Sequence, residues 1–320
     1  MQITSPESLW TRQSHTSDMY YNSFNDEMKK QFGGKVYKLA LEGGFTCPTR
    51  DGTLDSRGCI FCSASGSGEF AEAAQTDIYS QIEQAKKRVS LKYTGGKYIA
   101  YFQNYTNTYA PCDRLRELFS AAISHPDIVA LDIATRPDCL EDEKIELLKE
   151  LNRIKPVWVE LGLQTVKPES TEYIRRGYDL PVYDDAVTRL KTAGIEVIVH
   201  MIIGLPGESA EDIFATAEYI SRSGADGIKL QLLHVLKGTD LYEDYAAGKF
   251  EVLTRDEYID LLEGCIRRLR PEMVIHRLTG DGAKKDLAAP LWSADKKAVL
   301  NAVKTAFEKD NVVQGSLISD

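Results

Sequence analysis

The chain has 320 residues, 43% of them hydrophobic and 27% charged, which gives enough apolar mass for a sizeable core and excludes extensive intrinsic disorder. Its 39 basic and 48 acidic side chains leave a formal charge of −9, which argues against nucleic-acid binding over the whole surface, because such binding draws on counterion release at phosphates. The most apolar stretch, residues 197–205, is broken by His200 and falls short of the roughly 20 residues of a membrane-spanning helix. The first residues, Met1-Gln-Ile-Thr-Ser-Pro6, lack the basic start and apolar run of a secretory signal. A cytoplasmic location without a membrane partner is therefore expected.

Short β-branched runs alternate with amphipathic helical stretches along the chain. Residues 36–41 read as a strand, followed by a long polar loop and a helix over 76–89. Strand 98–103 precedes helix 113–124, whose Leu115, Leu118, Phe119 and Ala122 share one face. Strand 128–134 leads to helix 142–154. Strand 157–163 leads to two helical stretches split at Pro181. Strand 197–203 leads to helix 210–221, capped at Ser209, and residues 228–235 make a sixth strand. Beyond Gly238 the pattern is helical, with a short apolar run over 273–278.

Six strand–helix units in tandem imply parallel strands with helical crossovers. Length alone would suggest two domains, but no linker interrupts the middle, and an α/β barrel, complete or open-sided, fits better than a doubly wound sheet. The expected fold is α/β, a partial (β/α)6 TIM-like barrel over residues 35–238. Residues 1–34 form an N-terminal extension, and residues 239–320 a C-terminal helical extension packed on the barrel. Chemistry in such a barrel sits just after the strands. The unusual residues lie there: the cysteines after strand one, Asn104 to Thr108 after strand two, Thr135-Arg-Pro-Asp138 after strand three, Gln164 after strand four and Gly204 to Glu208 after strand five. Strand parity also aims Arg136 and Glu160 at the interior.

Cys112, Cys139 and Cys265 are isolated and read as small buried apolar residues. Cys47, Cys59 and Cys62 fall within sixteen residues. A disulfide with a spare thiol is disfavoured in a reducing cytosol. A structural zinc site needs a fourth ligand, and His15, His125, His200, His234 and His276 are scattered. A [4Fe–4S] cluster needs only these three thiolates and keeps one iron open.

The cysteine segment resembles the signature of the radical S-adenosylmethionine (radical SAM) superfamily, in which three cysteines follow the first barrel strand and an aromatic residue, here Phe61, precedes the last. The superfamily's usual first gap is three residues, and this chain has eleven between Cys47 and Cys59. That long gap resembles the bacterial YhcC/YtqA-type subgroup, as do Lys35 to Gly52, Gly58-Cys-Ile-Phe-Cys-Ser-Ala-Ser-Gly-Ser-Gly68, Tyr101 to Pro111, Glu160 to Thr165 and Gly204-Leu-Pro-Gly-Glu208.

The resemblance implies a [4Fe–4S] cluster on Cys47, Cys59 and Cys62, and SAM cleaved to a 5′-deoxyadenosyl radical with an electron from a donor such as flavodoxin or ferredoxin. It implies SAM contacts from the segment holding Gln103, Asn104, Thr106 and Asn107, which lacks the superfamily's usual glutamate. Gln164 and Arg176 look like the glutamine and arginine that hold SAM in the coproporphyrinogen-dehydrogenase and elongator-like branches. His200 stands where those branches carry a ribose-binding aspartate, and Gly204 and Leu205 look like the adenine-side segment.

The elongator-like resemblance further implies work on wobble uridines of tRNA, with remodelling of a carboxymethylaminomethyl-type side chain. A basic C-terminal stretch, Arg267, Arg268, Arg270, Arg277, Lys284 and Lys285 against Glu272 and Asp281, is the feature that would hold tRNA; Lys296, Lys297 and Lys304 follow. A radical SAM enzyme of a small metabolite or a protein is the alternative, and a zinc-binding adaptor a third reading. Gln231, His234, His276 and Arg277 are candidate substrate contacts. With no second cysteine cluster, an auxiliary iron–sulfur site is not expected.

Overall fold

The computed structural model describes residues 20–63, 66, 77–280, 282 and 284–318. Residues 1–19, the helix start at Thr76, Asp281 of the basic stretch, and Ala64, Ser65, Ser67 and Gly68 of the cysteine segment lie outside them.

A first helix, α1 (Phe24–Phe32), is capped by the Ser23 hydroxyl, which accepts from the Asp26 N–H. Strand β1 (Tyr37–Leu41) then leads through the cysteine loop to α2 (Ile78–Val89). The repeating units follow as β2 (Tyr98–Phe102), α3 (Cys112–Ser124), β3 (Ile128–Thr135), α4 (Asp142–Asn152) and β4 (Val157–Gln164). After α5 (Pro168–Tyr173) and α6 (Leu180–Thr192) come β5 (Glu196–Ile203), α7 (Ala210–Arg222) and β6 (Gly227–Leu232). The tail contributes β7 (Val235–Leu236), α8 (Asp240–Ala246), α9 (Arg255–Ile266), β8 (Val274–Arg277), β9 (Leu287–Ala289) and α10 (Lys296–Lys309).

Strands one to six lie side by side in chain order, all parallel, as a curled open sheet, and β8 adds a seventh parallel strand beside β6. The architecture is the expected α/β partial barrel. The apolar run at 273–278 is thus a strand of the main sheet inside a tail that reads as helical. The sixth strand also stops earlier than its apolar run suggests: after Leu232 the chain bends away, and Val235–Leu236 pairs antiparallel with β9 in a separate two-stranded sheet. Continuous hydrophobicity marks burial here, not an unbroken strand.

The barrel interior is layered by the two-residue period of the strands. Its floor is apolar, with Val36, Ile99, Ala130, Trp158 and Ile198 packed against Met28, Phe24 and Phe32 of α1. Two residues further along the same strands stand Lys38, Tyr101, Asp132, Glu160 and His200, with Lys229 from β6. Above this charged belt, towards the C-terminal ends of the strands, lies the main cavity.

Candidate active site

The cavity is walled on one side by Cys47, Cys59, Phe61 and Cys62 and on the other by Gln231, His234 and Arg277; Tyr101, Glu160 and His200 also line it. Each wall is a strand end or the loop that follows it, the arrangement that parallel crossovers produce.

All three cysteines are free thiols. Cys47 Sγ lies 3.0 Å from the Thr106 hydroxyl. The limb carrying Cys59 and Cys62 turns through a Cys62 N–H to Cys59 carbonyl bond of 3.0 Å, and it is docked by Leu241 N–H on the Ile60 carbonyl at 3.0 Å. Burial, then repulsion from Cys62, pushes the Cys59 thiol up to about 12, and burial raises Cys47 and Cys62 as well. Buried sulfurs of this kind become thiolates when a metal's positive charge is placed among them. Among the described residues no carboxylate or imidazole is hydrogen-bonded to these thiols, so the donor set is three soft sulfurs. It fits a [4Fe–4S] cluster with one iron left for a further ligand.

Of the sequence-derived SAM contacts, Gln103, Thr106, Arg136, Glu160, Gln164, Arg176 and His200 line the cavity. Asn104 and Asn107 do not. Asn104 donates its amide to the Glu42 carboxylate. Asn107 ties strand ends together, with its amide on the Phe102 and Ala134 carbonyls at 3.1 and 2.8 Å. Gly204 and Leu205 face a second cleft, beside Phe250, Leu253 and Leu261.

The two arginines are held in specific poses. Arg136 forms a two-pronged pair with Asp138 at 2.9 and 2.7 Å and donates to the Arg176 carbonyl at 2.8 Å. Arg176 donates from Nη1 to the Leu163 and Thr165 carbonyls at 3.1 and 2.8 Å and from Nε to the Tyr178 carbonyl at 3.0 Å. Those contacts brace Gln164, whose φ of 64° puts it in the left-handed region at a bulge in β4.

The charged belt forms the cavity's lower wall. Glu160 accepts from Tyr101 Oη at 2.7 Å, His200 Nε2 at 2.7 Å and Lys38 Nζ at 3.0 Å, and from Lys229. Lys38 also bridges to Asp132 at 2.5 Å. Burial alone would raise Glu160, but Lys229 and Lys38 hold it well below the carboxylate range. Burial and the Glu160 charge lift Asp132 to about 7. Burial, opposed by Glu160 and reinforced by Lys38 and Arg277, lowers Lys229 to about 7. His200 falls to about 4 through burial and Lys229, so it is neutral near pH 7. Its Nε2–H must then be the donor to the Glu160 carboxylate, which leaves Nδ1 as an acceptor.

The residue-level reading names Glu160 and His200 of this belt but misses Lys38, Tyr101, Asp132 and Lys229. The signal for them is parity: each lies two residues beyond an apolar floor residue or pairs in register with a belt residue. His276 leaves the substrate group altogether, packed 4.8 Å from Phe24 and 6.3 Å from Trp158 near the apolar floor. The basic stretch is spread out. Arg277 lines the cavity, Arg267 caps the Asp310 carbonyl, Arg268 pairs with Glu218, and Arg270 holds the Ala225 carbonyl. Lys284 and Lys285 are exposed. Cys139 and Cys265 are buried as expected, but Cys112, at the start of α3, is only half-buried.

Residues 56–220 match the family described as Radical SAM superfamily, and residues 225–309 match the Radical_SAM C-terminal domain. The chain belongs to the radical SAM superfamily, whose cofactors are a [4Fe–4S] cluster and SAM. Within the superfamily it falls in the YhcC/YtqA-type subgroup: it is 44% identical over 295 residues to the protein YtqA of Bacillus subtilis, covering 92% of each chain. It is also 30% identical over 141 residues to a tRNA uridine(34) acetyltransferase of Methanocaldococcus infernus, covering 42% of this chain and 25% of that one. Its fold resembles the solved structure of the archaeal Methanocaldococcus infernus Elp3, with a TM-score of 0.67 at 20% identity over 87% of this chain and 64% of that one.

Proposed function

We propose that this radical SAM enzyme modifies the wobble uridine of tRNA by remodelling a carboxymethylaminomethyl-type side chain on that base. The observation that carries the reading is the shared sequence with a protein named for uridine 34 of tRNA. The cavity chemistry supports it, because Arg277 offers a planar cation of the kind that binds a carboxylate with two parallel hydrogen bonds.

In this reading Cys47, Cys59 and Cys62 hold the cluster, and Gln103, Thr106, Gln164 and Arg176 stand along the wall where SAM would lie, with Arg136, Glu160 and His200 beside them. When bound, the cluster supplies a low-potential electron for reductive cleavage of the SAM sulfonium. The protein's own contribution is position and exclusion. Glu160 fixes the His200 tautomer so that Nδ1 accepts a hydrogen bond from a bound group, and the apolar floor closes the barrel against water from below. Gln231 and His234, which line the cavity on the wall opposite the cysteines, would contact the base. A one-electron donor such as flavodoxin or ferredoxin, and a cytoplasmic setting, belong to the same reading.

Mass spectrometry of tRNA nucleosides from a strain lacking the gene tests it. A missing or accumulating modified uridine at the wobble position supports the assignment. An unchanged nucleoside profile removes tRNA from the account and leaves a metabolite or protein as substrate.

A further inference from the structure

The eleven residues between Cys47 and Cys59 fold back on themselves. The Arg50 and Asp51 N–H groups donate to the Cys47 carbonyl at 2.9 and 3.2 Å, Leu54 N–H to Pro48 at 2.7 Å, and Gly58 N–H to Thr49 at 2.7 Å. The excursion is a self-bonded loop whose two stems meet where it began. That closure is how a wide gap in sequence still brings Cys47 and Cys59 to one cavity wall.

Arg50 sits at the stem and reaches across it. Its Nη2 donates to the Cys62 carbonyl at 3.0 Å and the Ser63 carbonyl at 2.7 Å, and the guanidinium lies 5.7 Å from the Tyr105 ring centre. Gly58 makes room for it: with φ of +73°, a Cβ there would fall 2.8 Å from Arg50 Nε. The other cation near the thiols, Arg136, is already paired with Asp138 at 2.7 Å. Among the described residues no carboxylate pairs with Arg50, so none of them offsets its charge.

We infer that Arg50 is the positioning residue of the cluster site: it clamps the Cys59–Cys62 limb against the Cys47 limb and sets a fixed positive charge beside the three thiolates. The clamp holds the ligands in place before iron arrives, and the charge favours the reduced cluster, which carries one more electron than the oxidised form. The inference rests on the cluster assignment, which the unsubstituted protein tests separately.

The experiment compares the full-length protein, reconstituted without oxygen, with Arg50→Met, Arg50→Lys and Gly58→Ala. It reads iron and sulfide content, the rate of iron loss to a chelator, and the midpoint potential from a redox titration followed by electron paramagnetic resonance. Arg50→Met should lose iron about 10- to 100-fold faster and shift to a more negative potential. Arg50→Lys should recover the potential but not the retention, because an ammonium cannot reproduce the guanidinium's planar, multi-donor grip on two carbonyls. Gly58→Ala, which keeps the charge but displaces it, should also lose iron faster. Wild-type retention and potential in both Arg50→Met and Gly58→Ala would overturn the inference. Failure of the unsubstituted protein to hold iron would instead overturn the cluster assignment.

Discussion

Glu160 collects donors from four other strands: Lys38 of β1, Tyr101 of β2, His200 of β5 and Lys229 of β6. Replacing it by glutamine removes the carboxylate that Lys38 and Lys229 share in a buried belt, a change expected to cost about 3–5 kcal/mol in urea unfolding. An unaltered midpoint would show that the belt contributes nothing to stability. His200 makes a pH-dependent prediction. Its folded value of about 4 lies below the ~6.5 of an unfolded histidine, so between these values only the unfolded chain takes the proton. The stabilisation is complete above pH ~6.5 and lost as pH falls towards 4. Wild type should therefore lose on the order of 3 kcal/mol relative to His200→Gln across that window; parallel curves would contradict it. Asp132, raised to about 7, acts in the opposite sense over the same range, but it is present in both proteins and cancels. The belt was half-legible in the sequence. Glu160 and His200 stand out as polar residues in apolar strands, whereas Lys38 and Asp132 look like ordinary strand polarity until the sheet curls and turns them inward.

The strand–helix units are the most legible elements, because each joins a short apolar run to a 3.6-residue period and neither depends on distant contacts. The tail is harder to read. Strand β8 has four residues, and it is held from both edges by distant chain, β6 on one side and the Asn22 carbonyl, which accepts from Ile275 N–H at 2.8 Å, on the other. The two-residue strand β7 and the three-residue strand β9 exist only as a pair. Helix α1 likewise takes its role from the fold, closing the barrel floor with Met28 fully packed against Trp158 and its neighbours. Met28→Ala is expected to lower stability by about 2–5 kcal/mol by opening a cavity in that floor, measured by denaturant titration. A loss below a few tenths would mean that α1 is peripheral to the barrel's stability.

Across the whole molecule the charge of −9 would limit any nucleic-acid contact to local features, and Lys284 and Lys285 lie on the surface next to Gly280 and Gly282, which line the cavity. In the tRNA reading, Lys284→Glu with Lys285→Glu should weaken tRNA retention and reduce the slope of its logarithmic salt dependence by about 2; an identical slope would separate this rim from any tRNA path. The central claim is narrower than the substrate. It is the proposal that Cys47, Cys59 and Cys62 on one loop hold the cluster whose open iron receives SAM, and the most direct measurement is 5′-deoxyadenosine formed from SAM under a strong reductant by the protein reconstituted without oxygen. The account predicts the product with about four irons per chain, and neither in Cys47→Ala, Cys59→Ala or Cys62→Ala. Product formation that survives loss of any one of these cysteines, or its absence from a fully iron-loaded wild type, would contradict it.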